Sequence, residues 1–292
     1  MRFEGIISSS APLSNPTGKR ARLSGLIRSW LASGSLQIET ENSSCSASVC
    51  EGEFSGVLAP AKNASFSLTV LYEGMPLYHE HLNFPERFDL LVISDIDDTI
   101  LVTEVKSKTR MLLNSMLRKV ENRKPVTGTP ELYKSLDSGL LAAGKPYFFY
   151  LSSSPAFLSR TLKAFLKFHD FPQGTMLLKK SLTDGSHQHH KTAWLNDVSA
   201  SYPDKALLLF GDSGEKDPAI YTEFAESLKN PKRILAVIIR NVSESPEQQA
   251  KLKTIRKRLA DLGVPFICWH EIESLKESLR KLAIVKMPAT GH

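Results

Sequence analysis

Carboxylates stand in a tight group directly after a short apolar run near the middle of the chain. Residues 90–93 are Leu-Leu-Val-Ile, and Asp95, Asp97 and Asp98 follow at once. An apolar run of this length between polar residues predicts a strand buried on both faces of a sheet. If the backbone stays extended, Asp95 and Asp97 project to one side and Asp98 to the other. Two carboxylates held this close repel each other, so the spacing predicts a cation or a shared proton between them.

The spacing therefore predicts a metal-assisted site with one nucleophilic and one acid/base carboxylate. An acidic loop, a turn or a helix N-cap is the alternative for this motif alone. Two later apolar runs favour the site, because residues 145–151 end at Ser152 and Ser153, and residues 205–210 end at an acidic glycine turn with Asp212. In open α/β sheets, ligands bind beyond the carboxyl ends of the strands. The carboxylates, the hydroxyls and the glycine turn are thus expected to converge.

Phosphoryl transfer through an aspartyl phosphate needs such a set of groups. We predict that Asp95 is the nucleophile and a metal ligand. Asp97 is predicted to protonate the leaving alkoxide and then to activate water, with its backbone carbonyl on the metal. Mg²⁺ is the expected ion because it prefers hard oxygen ligands and needs few protein carboxylates. Asp212 is predicted to complete the set of metal ligands. Asp217 is predicted either to join and orient these ligands or to pair with Lys191.

Hydroxyl and ammonium groups should take up the remaining phosphoryl oxygens. Ser152 is the predicted phosphate-binding hydroxyl, with Ser153 as its near substitute. Lys191 is predicted to neutralise the phosphate and the nucleophile from a position just ahead of a helix. Thr99 is a further substrate-binding candidate, and stabilisation of its own loop is the alternative role.

The pattern of elements explains how these groups would be positioned. From Phe88 onward strands and helices alternate, which predicts a mostly parallel sheet. Strands are predicted at residues 90–93, 145–151, 176–178, 205–210, 233–239 and 265–269. Helices are predicted at residues 107–120, 131–141, 157–168, 218–228 and 248–262, with one beginning at Lys191 and one at the end of the chain.

The first part of the chain has a different texture. Residues 1–20 are rich in Ser and Pro and predict a loose lead-in, and residues 21–86 contain short alternating runs separated by turn signals. The expected organisation is an N-terminal β-rich, sandwich-like domain at residues 1–87 and a catalytic domain at residues 88–292. This second domain would carry only a minimal cap, because the segment between its first two motifs is short.

Composition excludes several classes of protein. With 41% hydrophobic and 23% charged residues, the 292-residue chain is typical of a soluble globular protein rather than a disordered one. No run is long enough to span a bilayer, and residues 1–16 lack a signal pattern, so the prediction is a cytoplasmic protein. The formal charge of +6 suits an anionic ligand or surface. No nucleic-acid-binding motif appears, so no nucleic-acid partner is predicted.

In this order the motifs resemble those of the haloacid dehalogenase-like superfamily. Residues 93–100, 150–155 and 209–221 are similar to the catalytic domain of the actin patch protein 1 (App1) family, whose type member is a Mg²⁺-dependent phosphatidate phosphatase. The resemblance implies an α/β, Rossmann-like parallel sheet with helices on both faces and a lipid phosphate as substrate. The chain departs from the family at Ser153, where Asn is frequent, and at Ala156, where an aromatic residue is frequent.

Other functions remain open from the sequence. The same chemistry on a soluble phosphate ester is one alternative. A receiver-type phospho-acceptor module is another, although an acid/base carboxyl two residues from the nucleophile suits hydrolysis better. A non-catalytic binding protein that works through its β domain is the third. The basic helix at residues 248–262 is either a solvated face or a contact for anionic lipid at a membrane surface.

Overall fold

A computed structural model describes residues 2–6, 34–39, 44–49, 53–57, 65–72, 75–83, 88–102, 120–155, 158–179 and 187–285. The chain divides into two compact units. The first contains residues 1–86 with 155–157 and 180–182, and the second contains residues 87–154, 158–179 and 183–292.

The first unit is built from antiparallel strands. Strands β1 (Arg2–Ile6) and β4 (Glu53–Val57) pair with each other. A four-stranded sheet has the order β3-β2-β5-β6. Its strands are β2 (Gly34–Glu39), β3 (Ser44–Val49), β5 (Ser65–Tyr72) and β6 (Met75–Asn83). Apolar and polar residues partly alternate in the sequence of these strands, which favours such pairing.

The second unit is organised around a six-stranded sheet with the order β12-β11-β10-β7-β8-β9. The pairs β12·β11, β11·β10, β10·β7 and β7·β8 are parallel. The strands are β7 (Leu90–Asp95), β8 (Pro146–Pro155), β9 (Gly174–Lys179), β10 (Ala206–Asp212), β11 (Ile234–Arg240) and β12 (Phe266–Trp269). The central strands β7 and β8 are buried throughout, as their apolar runs require.

Helices connect these strands. They are α1 (Thr129–Ser135), α2 (Ser159–Phe168), α3 (His187–Ser201), α4 (Asp217–Ser227), α5 (Pro246–Asp261) and α6 (Ile272–Lys281). Crossovers between parallel strands are right-handed, so steps along the sheet in opposite directions put their helices on opposite faces. From β7 the chain adds β8 and β9 on one side and β10, β11 and β12 on the other. The carboxyl end of β7, next to β10, is therefore a topological switch point.

The predicted α/β fold with a preceding antiparallel β region is confirmed. Two local predictions are wrong. Residues 2–6 form strand β1 rather than a loose lead-in, because pairing with β4 supplies hydrogen-bond partners that local composition does not reveal. Helix α3 begins at His187, so Lys191 lies inside the helix and not ahead of it.

The predicted helix at residues 107–120 falls outside the described residues, except that residues 120–122 form a short 3₁₀ turn. The minimal cap, the sandwich packing and the division into two functional domains stay predictions. Within the described residues, no helix is both long and apolar enough to cross a bilayer.

Candidate active site

Three neighbouring strands bring the predicted site residues to one edge of the sheet. Strand β7 ends at Asp95 and strand β10 ends at Asp212. Ser152 lies near the end of β8, one residue beyond Leu151, which is in register with Asp95. Parallel pairing therefore places a carboxylate, a run of hydroxyls and a second carboxylate side by side at the switch point.

The turn after β7 is not extended, contrary to the expectation that Asp95 and Asp97 project to one side. Asp98 has a φ of 56°, in the left-handed region that Asp tolerates better than most residues. The backbone N–H of Asp98 donates to the carbonyl of Leu101, and the N–H groups of Ile100 and Leu101 donate to the carbonyl of Ile96. These bonds close the turn and direct the Asp95 and Asp97 side chains to different partners.

Lys191 is the centre of the acidic group. Its Nζ donates to Asp95 Oδ1 over 2.7 Å, to Glu215 Oε2 over 3.1 Å, and to Asp217 Oδ1. The lysine side chain is only 1% exposed. Burial acts to lower the pKa of Lys191, but Asp217, Asp95 and Glu215 together raise the pKa well above its ordinary value. The acidic neighbours thus favour the charged form of the lysine.

Three carboxylates offer the best place for a metal ion. Asp95, Asp212 and Asp217 present oxygens that all lie within 4.8 Å of one another, and all three residues are buried. Asp212 Oδ1 accepts hydrogen bonds from the backbone of Gly214 and Glu215, whereas its buried Oδ2 has no partner among the described residues. An orphaned carboxylate oxygen beside two others fits the all-oxygen coordination of Mg²⁺.

The electrostatics of this group point to the same conclusion. Burial raises the pKa of Asp95 above its ordinary value, against the opposing effect of Lys191. Burial and the neighbouring Asp217 raise the pKa of Asp212 to about 8. One buried ammonium does not compensate for so many carboxylates, so a further positive charge would stabilise their ionised forms.

Asp97 faces the hydroxyls of β8 rather than the Lys191 group. Its Oδ2 accepts a hydrogen bond of 2.9 Å from Ser152 Oγ and a longer one of 3.4 Å from Ser154 Oγ. Its buried Oδ1 has no partner among the described residues. Burial, with a contribution from Glu215, raises the pKa of Asp97 to about 7. A carboxyl with one anchored and one unbonded oxygen can hold a proton or accept one.

Local packing explains why glycine precedes Asp212. A Cβ atom at Gly211 would lie 2.7 Å from Asp217 Oδ2 and 2.9 Å from Tyr221 Cε2. Both neighbours belong to helix α4, and the Tyr221 hydroxyl donates to the carbonyl of Phe210 over 2.8 Å. The absent side chain allows the first turn of α4 to approach the end of β10. This approach sets Asp217 beside Lys191.

The structure brings most of the predicted site residues together. Lys191 is in direct contact with Asp95 and Asp217, so Asp217 pairs with Lys191. Asp217 is also one of the three carboxylates that could hold a metal ion. Thr99 Oγ1 donates to Asp95 Oδ2 over 3.2 Å, so its described bond is to the proposed nucleophile, and its substrate-binding role stays a prediction. The Asp97 carboxylate does not belong to the group of three, so metal contact through its backbone carbonyl stays a prediction.

The two candidate phosphate-binding serines differ in their surroundings. Ser152 Oγ is engaged twice, because it donates to Asp97 and accepts from the backbone N–H of Ser154 over 3.0 Å. Ser153 Oγ is buried without a partner among the described residues. The substrate-binding roles of both serines stay predictions, and Ser153 has the hydroxyl that is available for a new hydrogen bond.

Sequence reasoning missed several groups at the site. Glu215, to which the sequence analysis assigns no role, contacts Lys191. Its position between Asp212 and Asp217 was the available signal. Ser154 shares a strand face with Ser152, which period-two alternation predicts. Behind Asp95, the Ser94 hydroxyl lies 2.7 Å from the hydroxyl of buried Tyr133, a contact between distant segments that the sequence does not reveal.

Comparisons with known proteins agree with this site. The family described as Phosphatidate phosphatase APP1, catalytic domain, matches residues 90–241. Phosphatidate phosphatase APP1 of Saccharomyces cerevisiae is 32% identical over 169 residues, which cover 56% of this chain and 28% of that protein. An uncharacterized protein of Schizosaccharomyces pombe is 27% identical over 164 residues, which cover 54% of this chain and 26% of that protein. The chain thus matches little more than a quarter of the length of these relatives.

Proposed function

Because the chain belongs to the family of APP1-type phosphatidate phosphatase catalytic domains, we propose that it is a Mg²⁺-dependent phosphatase that acts through an aspartyl phosphate. One observation carries the proposal. The carboxylates of Asp95, Asp212 and Asp217 gather at the carboxyl edge of the sheet, and those of Asp95 and Asp217 pair with the buried ammonium of Lys191. This arrangement is unfavourable unless a divalent cation completes it.

Asp95, Asp212 and Asp217 would hold the metal ion. Asp212 Oδ2 has no hydrogen-bond partner in the part of the chain that the structure describes, which supports this assignment, since a buried carboxylate oxygen otherwise loses its hydration without compensation. When bound, Mg²⁺ supplies positive charge that screens the nucleophile from the phosphate and stabilises the transferring phosphoryl group. Lys191 adds charge to the same place through its contacts with Asp95 and Asp217.

The first half-reaction forms a bond between an Asp95 carboxylate oxygen and phosphorus. The bond from phosphorus to the ester oxygen breaks, and the leaving oxygen takes a proton from the Asp97 carboxyl to become an alcohol. Hydrogen bonds from Ser152 and Ser154 fix Asp97 through its Oδ2 and leave its Oδ1 to exchange the proton.

In the second half-reaction Asp97, now a carboxylate, takes a proton from water. The resulting hydroxide attacks the phosphorus of the aspartyl phosphate, and the bond to Asp95 breaks. Inorganic phosphate leaves and both carboxyl groups return to their starting states. Ser153, whose hydroxyl has no partner among the described residues, is the residue that we propose to donate a hydrogen bond to the phosphoryl group.

We propose phosphatidate or a related lipid phosphate as the substrate class, on the strength of the family match. The runner-up is a soluble phosphate ester, which would use the same residues. The outward face of α5 offers exposed Lys253 and Lys257 to an anionic surface. Lys251 and Arg258 already pair with Glu247 and Glu226, which leaves less charge for peripheral membrane contact than the sequence suggests.

Phosphate release separates these proposals. The wild-type chain and the Asp95→Asn variant should be assayed on vesicle-borne phosphatidate and on a water-soluble aryl phosphate, each with Mg²⁺ and with a chelator. We expect Mg²⁺-dependent release by the wild type only, with a higher kcat/KM for phosphatidate. A preference for soluble esters would support the runner-up. Equal release by Asp95→Asn would reject the mechanism.

A further inference from the structure

Arg240 joins the two acidic loops of the site. It is the last residue of β11 and is in register with Asp212. Its backbone carbonyl accepts a hydrogen bond of 2.9 Å from the N–H of Ser213, in the loop that follows Asp212. Its side-chain Nη1 donates over 2.7 Å to the backbone carbonyl of Asp98, in the turn that follows Asp97.

Arg240 binds the carbonyl of Asp98, whose backbone conformation is the least favourable of this turn. Asp98 has a φ of 56°, and left-handed residues other than glycine persist only where the surroundings hold them. A hydrogen bond from a guanidinium is charge-assisted and stronger than one between neutral groups. The bond from Arg240 therefore stabilises the strained residue directly after the proposed acid/base Asp97.

The charge of Arg240 is directed at the site as well. Burial lowers the pKa of the guanidinium, whereas Asp98 and Asp212 raise it, so the side chain lies within electrostatic reach of both loops. Among the residues that the structure describes, Arg240 has no carboxylate within ion-pair distance. Its one described side-chain hydrogen bond is the one to the Asp98 carbonyl.

We propose that Arg240 is a positioning residue that holds the turn at Asp98, and thereby the Asp97 carboxyl, in the geometry required for proton transfer. This inference rests on the proposed phosphatase function. Arg240 contacts neither Asp95 nor Asp97, so it acts through the backbone of the turn. Misplacement of an acid/base group by about 1 Å can lower turnover about 100-fold, which makes such a residue measurable.

Arg233 provides a matched control directly before the same strand. It immediately precedes β11 at the opposite edge of the sheet, and it too donates to backbone carbonyls, those of Lys205 and Tyr202. Strand β11 is seven residues long, so the two arginines are separated by about 20 Å. Arg233→Met should lower stability as a structural arginine does, without changing the turn.

The first measurement follows the turn itself and does not require activity. Amide hydrogen exchange in the peptide that covers residues 96–102 should become about 10-fold faster in Arg240→Met, because a charge-assisted bond to the turn is lost. Exchange in this peptide should match the wild type in Arg233→Met. Unchanged exchange in Arg240→Met would overturn the inference, even if the chain proved to have no phosphatase activity.

The second measurement follows turnover of an aryl phosphate with Mg²⁺. We expect kcat to fall about 10-fold to 100-fold in Arg240→Met while KM stays at the wild-type value. Arg240→Lys should recover part of kcat, because an ammonium can still donate to one carbonyl. A raised KM with unchanged kcat would show that Arg240 binds substrate instead, and equal losses in Lys and Met variants would equally reject the positioning role.

Discussion

The two edges of the parallel sheet are built from the same strands but satisfy their polar groups very differently. At the amino edge, Arg233 donates to the carbonyls of Lys205 and Tyr202 and to the hydroxyl of Ser199. Phe88 packs there against the rings of Tyr147 and Tyr202. These contacts pair partly buried donors with acceptors and bring aromatic rings together, which is how a structural edge is stabilised.

At the carboxyl edge, hydrogen bonds within the described residues do not satisfy every buried polar atom. Asp97 Oδ1, Ser153 Oγ and Asp212 Oδ2 are buried without partners among the described residues. Several carboxylates surround Lys191, and Asp98 has a left-handed backbone. Unsatisfied polar atoms and strain of this kind are retained where a ligand completes the arrangement. The difference shows which edge is built for stability and which for binding and chemistry.

The largest expected effect separates activity from stability at the carboxyl edge. Asp95→Asn should lower kcat for an aryl phosphate by about 10³-fold or more, as loss of a nucleophile does. Thermal unfolding without metal should occur at the wild-type temperature or above it, because the change removes repulsion from Asp217 and Glu215 while Lys191 keeps both as partners. Unfolding of the variant at a clearly lower temperature would contradict the distinction between the two edges, since Asp95 would then be a structural residue.

Removal of the buried cation should have the next largest effect. Lys191→Met leaves Asp95 and Asp217 buried without their ammonium partner, and such a loss typically costs about 3–5 kcal/mol in the free energy of unfolding. Urea denaturation of the wild type and the variant measures it. Lys257→Met, on the exposed face of α5, is the control and should be neutral. A neutral Lys191→Met would contradict the view that this cluster depends on its one ammonium.

Addition of Mg²⁺ should stabilise the wild-type chain. Ligand present at about 100 times its dissociation constant contributes about 2.7 kcal/mol, which appears as a higher unfolding temperature. Asp212→Asn should remove most of this shift, because the change takes away an oxygen of the proposed metal site. Chelator should abolish phosphate release by the wild type. Equal shifts in the wild type and in Asp212→Asn would place the ion elsewhere.

The smallest effect belongs to the amino edge. Arg233→Met should lower the free energy of unfolding by about 1–3 kcal/mol, because its charge-assisted hydrogen bonds to backbone carbonyls are lost. Turnover measured on the folded fraction should equal that of the wild type. A large loss of kcat with a normal unfolding temperature would mean that the two edges are not functionally distinct.

The sequence predicts well which strands carry the residues of this site. Apolar runs that are followed by Asp95, Ser152 and Asp212 locate the last parts of three strands, although β8 continues to Pro155, and parallel pairing brings these parts together. The turn at Asp98 was not predictable, because a left-handed residue depends on contacts such as the one from Arg240, 142 positions away. Helix α3 also begins earlier than expected, at His187, because residues 187–190 are all polar and show no apolar periodicity.

The contacts made by Glu215 and Tyr133 show the same limit. Residue type and spacing identify a carboxylate in a loop or a tyrosine in a helix, but long-range packing decides which buried partner each meets. Sequence reasoning therefore finds the chemistry-bearing residues more readily than the groups that position them.

The covalent intermediate offers the most direct test of the central claim, that Asp95 receives the phosphoryl group. An aryl phosphate has a leaving group that needs no acid, so Asp97→Asn should still be phosphorylated but should hydrolyse the product slowly. Acid-quenched Asp97→Asn, digested and analysed by mass spectrometry, should carry one phosphoryl group on the peptide that contains Asp95. Phosphoryl transfer to another residue, or none despite Mg²⁺-dependent turnover by the wild type, would contradict the account.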